Sequence, residues 1–278
     1  MLARIAIHLG RDPGLEHRLR AAIQLATEHD AELVGIYPKN LMREYAYDEN
    51  RIPEDVYKIL DSRASVEQAK IKEYFFNQTK AAGVAAQWRA PQGPAEETLA
   101  LHARYSDLIV MSKAENDDAL TSTPVLAKSV IMAAGRPVLM IPSSAGNLAS
   151  IGQRILFCWD HRREAARAFS DAAPLLRSCS ELVILRIDPD NNDLQIKDVE
   201  SHDFASYCVA LGYPQPKEVT LLSDDIGVGN TILNSATDHA SDLIVMGAYG
   251  HSRMHQWIMG GASRTLLSSM TVPVLLSR

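Results

Sequence analysis

The chain has 278 residues, 46% hydrophobic and 22% charged, the profile of a globular protein with a sizeable core; length alone allows one large domain or two of ordinary size. Its 28 basic and 34 acidic side chains give a net charge of −6, which repels nucleic-acid phosphates and argues against a general DNA or RNA binder. A local anion pocket stays open, because backbone N–H groups supply positive potential without any lysine.

In chain order, a short apolar run at 4–9 precedes a helix-period segment rich in alanine and leucine at about 15–28. A second apolar run at 32–37 leads to a long helix at about 54–82. A third strand, a third helix, the apolar run 107–111, a fourth helix and a Pro-Val-Leu strand from Pro137 follow. The order then begins again: a strand at 154–159, a helix at about 163–177, a strand at 181–187 and a shorter helix at about 194–211. A third strand and helix, the run 242–246, a helix at about 261–269 and a Pro-Val-Leu strand from Pro273 complete the second copy.

The repetition is also literal. Ser-Asp-Leu-Ile-Val-Met at 106–111 recurs at 241–246, and Arg4-Ile aligns with Arg154-Ile and Glu32-Leu-Val with Glu181-Leu-Val. The offset falls from about 150 to 135 between the second and third strands, so one element of the second copy is shorter. Strands alternating with helices of ten or more residues predict an α/β fold: parallel sheets with helices on both faces, in two tandem Rossmann-like domains. The apolar runs do not alternate in polarity, as expected of strands covered on both sides. The domains are expected at 1–143 and 151–278, joined through the small-residue stretch 143–150.

After the run 242–246 the second copy carries Gly247, Gly250, Gly260 and Gly261, spaced G-x2-G-x9-G-G, with Ser263 close behind. Ligands of open α/β sheets bind at the carboxyl ends of the strands, where Gly247 falls. Gly247 and Gly250 let the backbone approach a ligand closely. Gly260 and Gly261 open the last helix, where unpaired N–H groups and the helix dipole favour an anion. Any one of these glycines could equally serve a turn or a close helix–sheet approach. The spacing is neither a P-loop nor a GxGxxG fingerprint.

With these residues the chain resembles the universal stress protein family, whose nucleotide motif is G-x2-G-x9-G followed by a small residue; Met246-Gly-Ala-Tyr-Gly-His-Ser-Arg253 is similar to its usual form. The resemblance covers both copies and implies a tandem member with a five-stranded parallel sheet in each domain. It implies that the second domain binds ATP, or ADP or AMP, with or without Mg2+, in a stress response exerted by sensing or partner binding. The implied contacts are Asp160 after the first strand, Ile187 at the end of the second, and Met246, Gly247, Gly250, His251, Gly260, Gly261, Ala262 and Ser263 around the loop. Gly261 stands where the family usually has serine or threonine, which removes a hydroxyl and weakens the expected binding. From position alone Asp160 reads equally well as the residue that organises the next helix.

The first copy has Ser112, Glu115, Val125 and Leu126 at the four glycine positions and Gly10 at that of Asp160. It therefore lacks the nucleotide motif and reads as a structural domain, or as the holder of a different ligand under the long helix. Tyr57, Tyr74, Phe75 and Phe76 on that helix read as packing. The run 188–193 departs from a calcium loop at its sixth and twelfth positions. His239, His251 and His255 have no metal-ligand spacing, and Cys158 reads as packing. Three scattered cysteines, no signal-peptide pattern and no apolar run of membrane length lead us to expect a cytoplasmic protein with no membrane partner. No nucleophile elbow or convergent carboxylate pair stands out, so efficient catalysis is not expected; a slow ATPase and a module that binds no nucleotide remain the alternatives. A doubled chain can make within itself the contact that single-domain relatives make between subunits, so the strands after Pro137 and Pro273 are expected to meet, with a homodimer as a further assembly.

Overall fold

A computed structural model describes residues 1–39, 54–112, 123–142, 148–188, 202–248 and 261–278. The chain divides into two compact units, Leu2–Ala134 and Gly135–Arg278, the latter joined by Met1. Both are α/β units.

In the first unit β1 (Arg4–His8), β2 (Glu32–Ile36), β3 (Ala86–Arg89) and β4 (Leu108–Ser112) stand in the order β3-β2-β1-β4. All pairings are parallel, with Arg4 opposite Glu32, Leu33 opposite Ala86 and Ile5 opposite Leu108. Every residue of β4 is buried, as its unbroken apolar run requires of a strand covered on both faces. The helix α1 (Leu15–His29) buries Leu19, Ala22, Leu25 and Ala26, one stripe at helical spacing. It ends at Asp30, whose left-handed backbone returns its N–H to the Ala26 carbonyl. The long helix α2 (Glu54–Ala81) buries Ile71, Phe75 and Thr79, four residues apart, and leaves Phe76 on its outer side. Phe75 beds against β2 because Gly35 has no Cβ, which would stand 3.0 Å from the Phe75 ring. The helices α3 (Ala95–Ala103) and α4 (Thr123–Ala133) pack on each other.

The second unit contains β5 (Val138–Ile141), β6 (Arg154–Cys158), β7 (Glu181–Ile187), β8 (Lys217–Leu221), β9 (Leu243–Gly247) and β10 (Val274–Ser277). Their order is β5-β10-β9-β6-β7-β8. Five strands, β6 to β10, run parallel, as the sequence predicts for the second copy. Against β10 lies β5, antiparallel, with Leu139 opposite Leu275. The strands that follow Pro137 and Pro273 therefore do meet, and the last strand of the first sequence copy is held by the second unit.

The helices of this unit are α5 (Arg163–Asp171), α6 (Ala173–Leu176), α7 (Asp203–Ala210), α8 (Gly227–Asp238) and α9 (Gly261–Ser269). One helix was expected at about 163–177; there are two. Pro174, in the first turn of α6, has no N–H to return to the preceding turn, and its ring disturbs the carbonyl four residues back. Of the helix expected at about 194–211, α7 is the part within the described residues.

Candidate functional site

Parallel pairing of β6 with β7 and β9 brings the carboxyl ends of three strands together: Cys158, Ile187 and Gly247. The chain leaves β6 through 159–162 before α5 begins. Trp159 stays tied to the sheet, its N–H donating to the Leu185 carbonyl at 2.9 Å. Asp160 is half exposed; its Oδ1 accepts the Arg162 backbone N–H at 3.1 Å, and its Oδ2 lies 3.8 Å from the Arg162 Nε. The carboxylate thus holds the turn into α5 while presenting its second oxygen beside a guanidinium. His161 adopts a left-handed φ of 60° and accepts at Nδ1 the indole N–H of Trp159, 3.1 Å away. Burial, and then the charge of Arg186, hold the His161 imidazole below its usual pKa, so it stays neutral in that bond.

Trp159 and Phe204 of α7 are stacked, rings 4.1 Å apart and 6° from parallel, and Phe157 and Phe169 close around Phe204. This aromatic wall beside Asp160 was not expected. Its members come from β6, the turn after it, α5 and α7, so no local spacing announces it.

Ile187, half-buried, ends β7 opposite Leu221 of β8. Past it Asp188 accepts the Ser223 backbone N–H at 2.9 Å and its hydroxyl at 2.5 Å, and those bonds hold its carboxyl below the ordinary range. Met246 is buried in β9 opposite Leu276. Gly247 ends β9, and a Cβ there would stand 2.5 Å from the Glu164 carbonyl carbon, 2.6 Å from the Ala165 nitrogen and 2.9 Å from the Glu164 Cβ. The first turn of α5 therefore lies directly on this glycine. Glu164 is a further residue the sequence reading passed over. Burial works against its ionisation, but the Arg163 side chain, its own backbone N–H and the charge of Arg278 together hold its carboxyl below the usual range.

Gly250, His251 and Gly260 lie outside the described residues, as does His255. Gly261, Ala262 and Ser263 form the first turn of α9, so the expected helix start is where the sequence places it. Among the described residues no group of His, Cys, Asp and Glu is arranged to hold a metal ion. Burial, with a smaller push from Asp160, raises the Cys158 thiol to about 12, and burial raises Cys179 to about 11 and Cys208 to about 12. None is an activated nucleophile.

The corresponding place in the first unit is filled from within. Arg18 of α1, 1% exposed, meets Asp12 at 2.8 Å and donates to the Ser112 hydroxyl at the end of β4. Burial opposes the charge on Asp12, but the Arg18 hydrogen bond and charge hold its carboxyl low. His8 at the end of β1 is pushed down to about 3, by burial first and then by Arg18. Beside this network opens a cleft of about 470 Å³ lined by Arg11, Asp12, Leu15, Glu67, Lys70 and Ile71. The counterparts of Asp12 and Arg18 in the second unit are Arg162 and Ala168, so no such ion pair forms there.

Comparison with known proteins bears on the whole chain. Residues 152–278 match the model of the universal stress protein family. A universal stress protein from Archaeoglobus fulgidus superimposes with a TM-score of 0.71 at 16% identity, covering 99% of this chain and 98% of that one. A Pseudomonas aeruginosa protein of unknown function gives a TM-score of 0.58 at 16% identity, over 99% and 92% of the two chains. A universal stress protein solved in complex with cAMP is similar to half of the chain, with 17% identity, a TM-score of 0.39, and coverage of 51% and 99%. No curated protein matches the sequence. The fold is thus shared along nearly the full length, and residues 152–278 match the universal stress protein family model.

Proposed function

We propose that the second unit binds an adenine nucleotide, ATP or its di- or monophosphate, at the carboxyl ends of β6, β7 and β9. The observation that carries this reading is the meeting of three strand ends with Asp160, in the half of the chain where a G-x2-G-x9-G segment runs into the start of α9. Asp160 is half exposed and has Oδ2 available to a ribose hydroxyl, and the first turn of α9 offers backbone N–H groups to a phosphate. These residues fit a nucleotide, and Mg2+ accompanying the phosphates would be held by those phosphates. The protein then acts in a stress response by sensing adenylate or by engaging a partner in its nucleotide-bound form, within the cytoplasm and without efficient hydrolysis.

A second reading is supported by particular bonds. Asp160 already holds a turn and Gly247 already seats a helix, so both residues have work in an interaction module that binds no nucleotide. Titration calorimetry with ATP, with and without magnesium, separates the two. The nucleotide reading expects micromolar binding by the intact chain and a loss of tenfold or more in Asp160→Ala and in Gly260→Val. Equal affinity in all three proteins overturns the site, and absence of binding by the intact chain leaves the interaction module.

A further inference from the structure

The repeat places Ser112 where Gly247 stands and Gly14 where Glu164 stands. In both units these pairs join the end of the fourth strand of a copy to the start of its first helix. In the second unit the strand residue has no Cβ, and the three atoms nearest to where it would be all belong to Glu164 and Ala165 of α5. In the first unit the relation is reversed. Gly14, the residue before α1, has no Cβ, and one placed there would meet the Ser112 Cβ at 2.8 Å and, closer still, its hydroxyl. Each unit satisfies the same close approach with one glycine, on opposite sides of the contact.

From this we infer that Gly247 is a positioning residue: it seats α5 on the end of β9 and thereby fixes the turn that carries Asp160. Its missing side chain clears room for a helix, where the motif alone suggests room for a ligand. The turn between β6 and α5 is only four residues long, 159–162, and is held at both ends: Trp159 by its bond to Leu185, Arg162 by Asp160. A displacement of the α5 start therefore has little slack to absorb it. A side chain at 247 would move Asp160 without touching any nucleotide. The ligand half of this inference rests on the nucleotide reading above; the packing half does not.

The test is a double-mutant cycle with two readouts, thermal midpoint and ATP affinity. Gly247→Ala is expected to lower the midpoint by about 5–10 °C, as strong overpacking does, and to weaken ATP binding about tenfold or more. Glu164→Gly costs something alone, since glycine disfavours a helix. Added to Gly247→Ala, it removes only the Glu164 Cβ at 2.9 Å and leaves the backbone carbon and nitrogen at 2.5 and 2.6 Å, so it should return less than half of the lost midpoint and leave ATP affinity well below that of Glu164→Gly alone. Weakened ATP binding by Gly247→Ala with an unchanged midpoint would assign the glycine to ligand clearance and overturn the inference. So would a double variant as stable as Glu164→Gly alone, because the clash would then lie in the Glu164 side chain and not in the helix backbone seated on Gly247. The reciprocal cycle, Gly14→Ala with Ser112→Gly, reads the same coupling in the first unit should Gly247→Ala not fold, and purely additive losses there reject it. If the intact chain binds no ATP, the nucleotide reading fails, while the midpoints still decide the packing.

Discussion

The residue shared most plainly by the two copies, the aspartate of Ser-Asp-Leu-Ile-Val, has a structural task at the amino end of each sheet. Asp107 accepts the backbone N–H groups of Ala3 and Arg4 at 2.7 and 2.9 Å. Asp242 accepts those of Gly152, Gln153 and Arg154 at 3.0, 3.1 and 2.9 Å, and the Ser150 hydroxyl. One carboxylate thus gathers the chain entering β6 and sets its alignment with β9. Asp242→Ala should cost about 2 kcal/mol, since charge-assisted bonds are strong but some of these donors can turn to water. Urea denaturation measures it, and Asp242→Asn should recover part of the loss. His8 gives a second residue-scale expectation. Its folded pKa is lowered to about 3 by burial and Arg18, against Asp12, which pulls the other way. The unfolded chain takes up a proton near pH 6.5 and the folded one does not. Stability contributed by neutral His8 is therefore complete above about pH 6.5 and is lost as the pH falls towards 3. Asp12, held low, adds its own loss only below about pH 4. Between pH 6 and 4, His8→Gln should fall less steeply than the intact chain by about 1.4 kcal/mol per pH unit. Denaturation midpoints across that range check it, and identical slopes would contradict it.

At the scale of elements, the short helices of the second unit depend on packing more than on their own length, because isolated helices of eight or nine residues are marginal in water. Phe204 is the main anchor of α7, in contact with Phe157, Trp159 and Phe169. Phe204→Ala should cost about 3–5 kcal/mol, as large aromatic deletions from a core do. It should also redshift tryptophan emission as the Trp159 ring loses its stacking partner. An unchanged emission maximum would place Trp159 elsewhere. The element boundaries show where local patterns stop being sufficient. Periodicity places α9 at its observed start and α2 within a residue or so of both ends. It runs through 171–173 because alanines continue the helical pattern there, and the effect of Pro174 on the carbonyls behind it decides the break.

For the whole molecule, the order of strands and helices, their parallel pairing and the existence of two copies were legible in the chain, because buried strands must be apolar and the repeat is literal. Among the described residues no helix is long and apolar enough to cross a membrane. The candidate site was legible in part. The glycine spacing and Asp160 mark where to look, and the alignment of Gly14 with Glu164 and Ser112 with Gly247 was already present as a reciprocal exchange. Its meaning was not, since nothing in a sequence says that residues 83 positions apart approach within van der Waals distance. By itself the sequence determined a doubled α/β fold with a glycine motif in the second copy only, because periodicity, repetition and glycine placement are local properties of a chain. Tertiary structure alone decided that Gly247 faces the backbone of α5, that Arg18 and Asp12 fill the matching place in the first unit, and that β5 lies antiparallel on β10. Those are contacts between segments far apart in sequence, and only close packing fixes which of them meet.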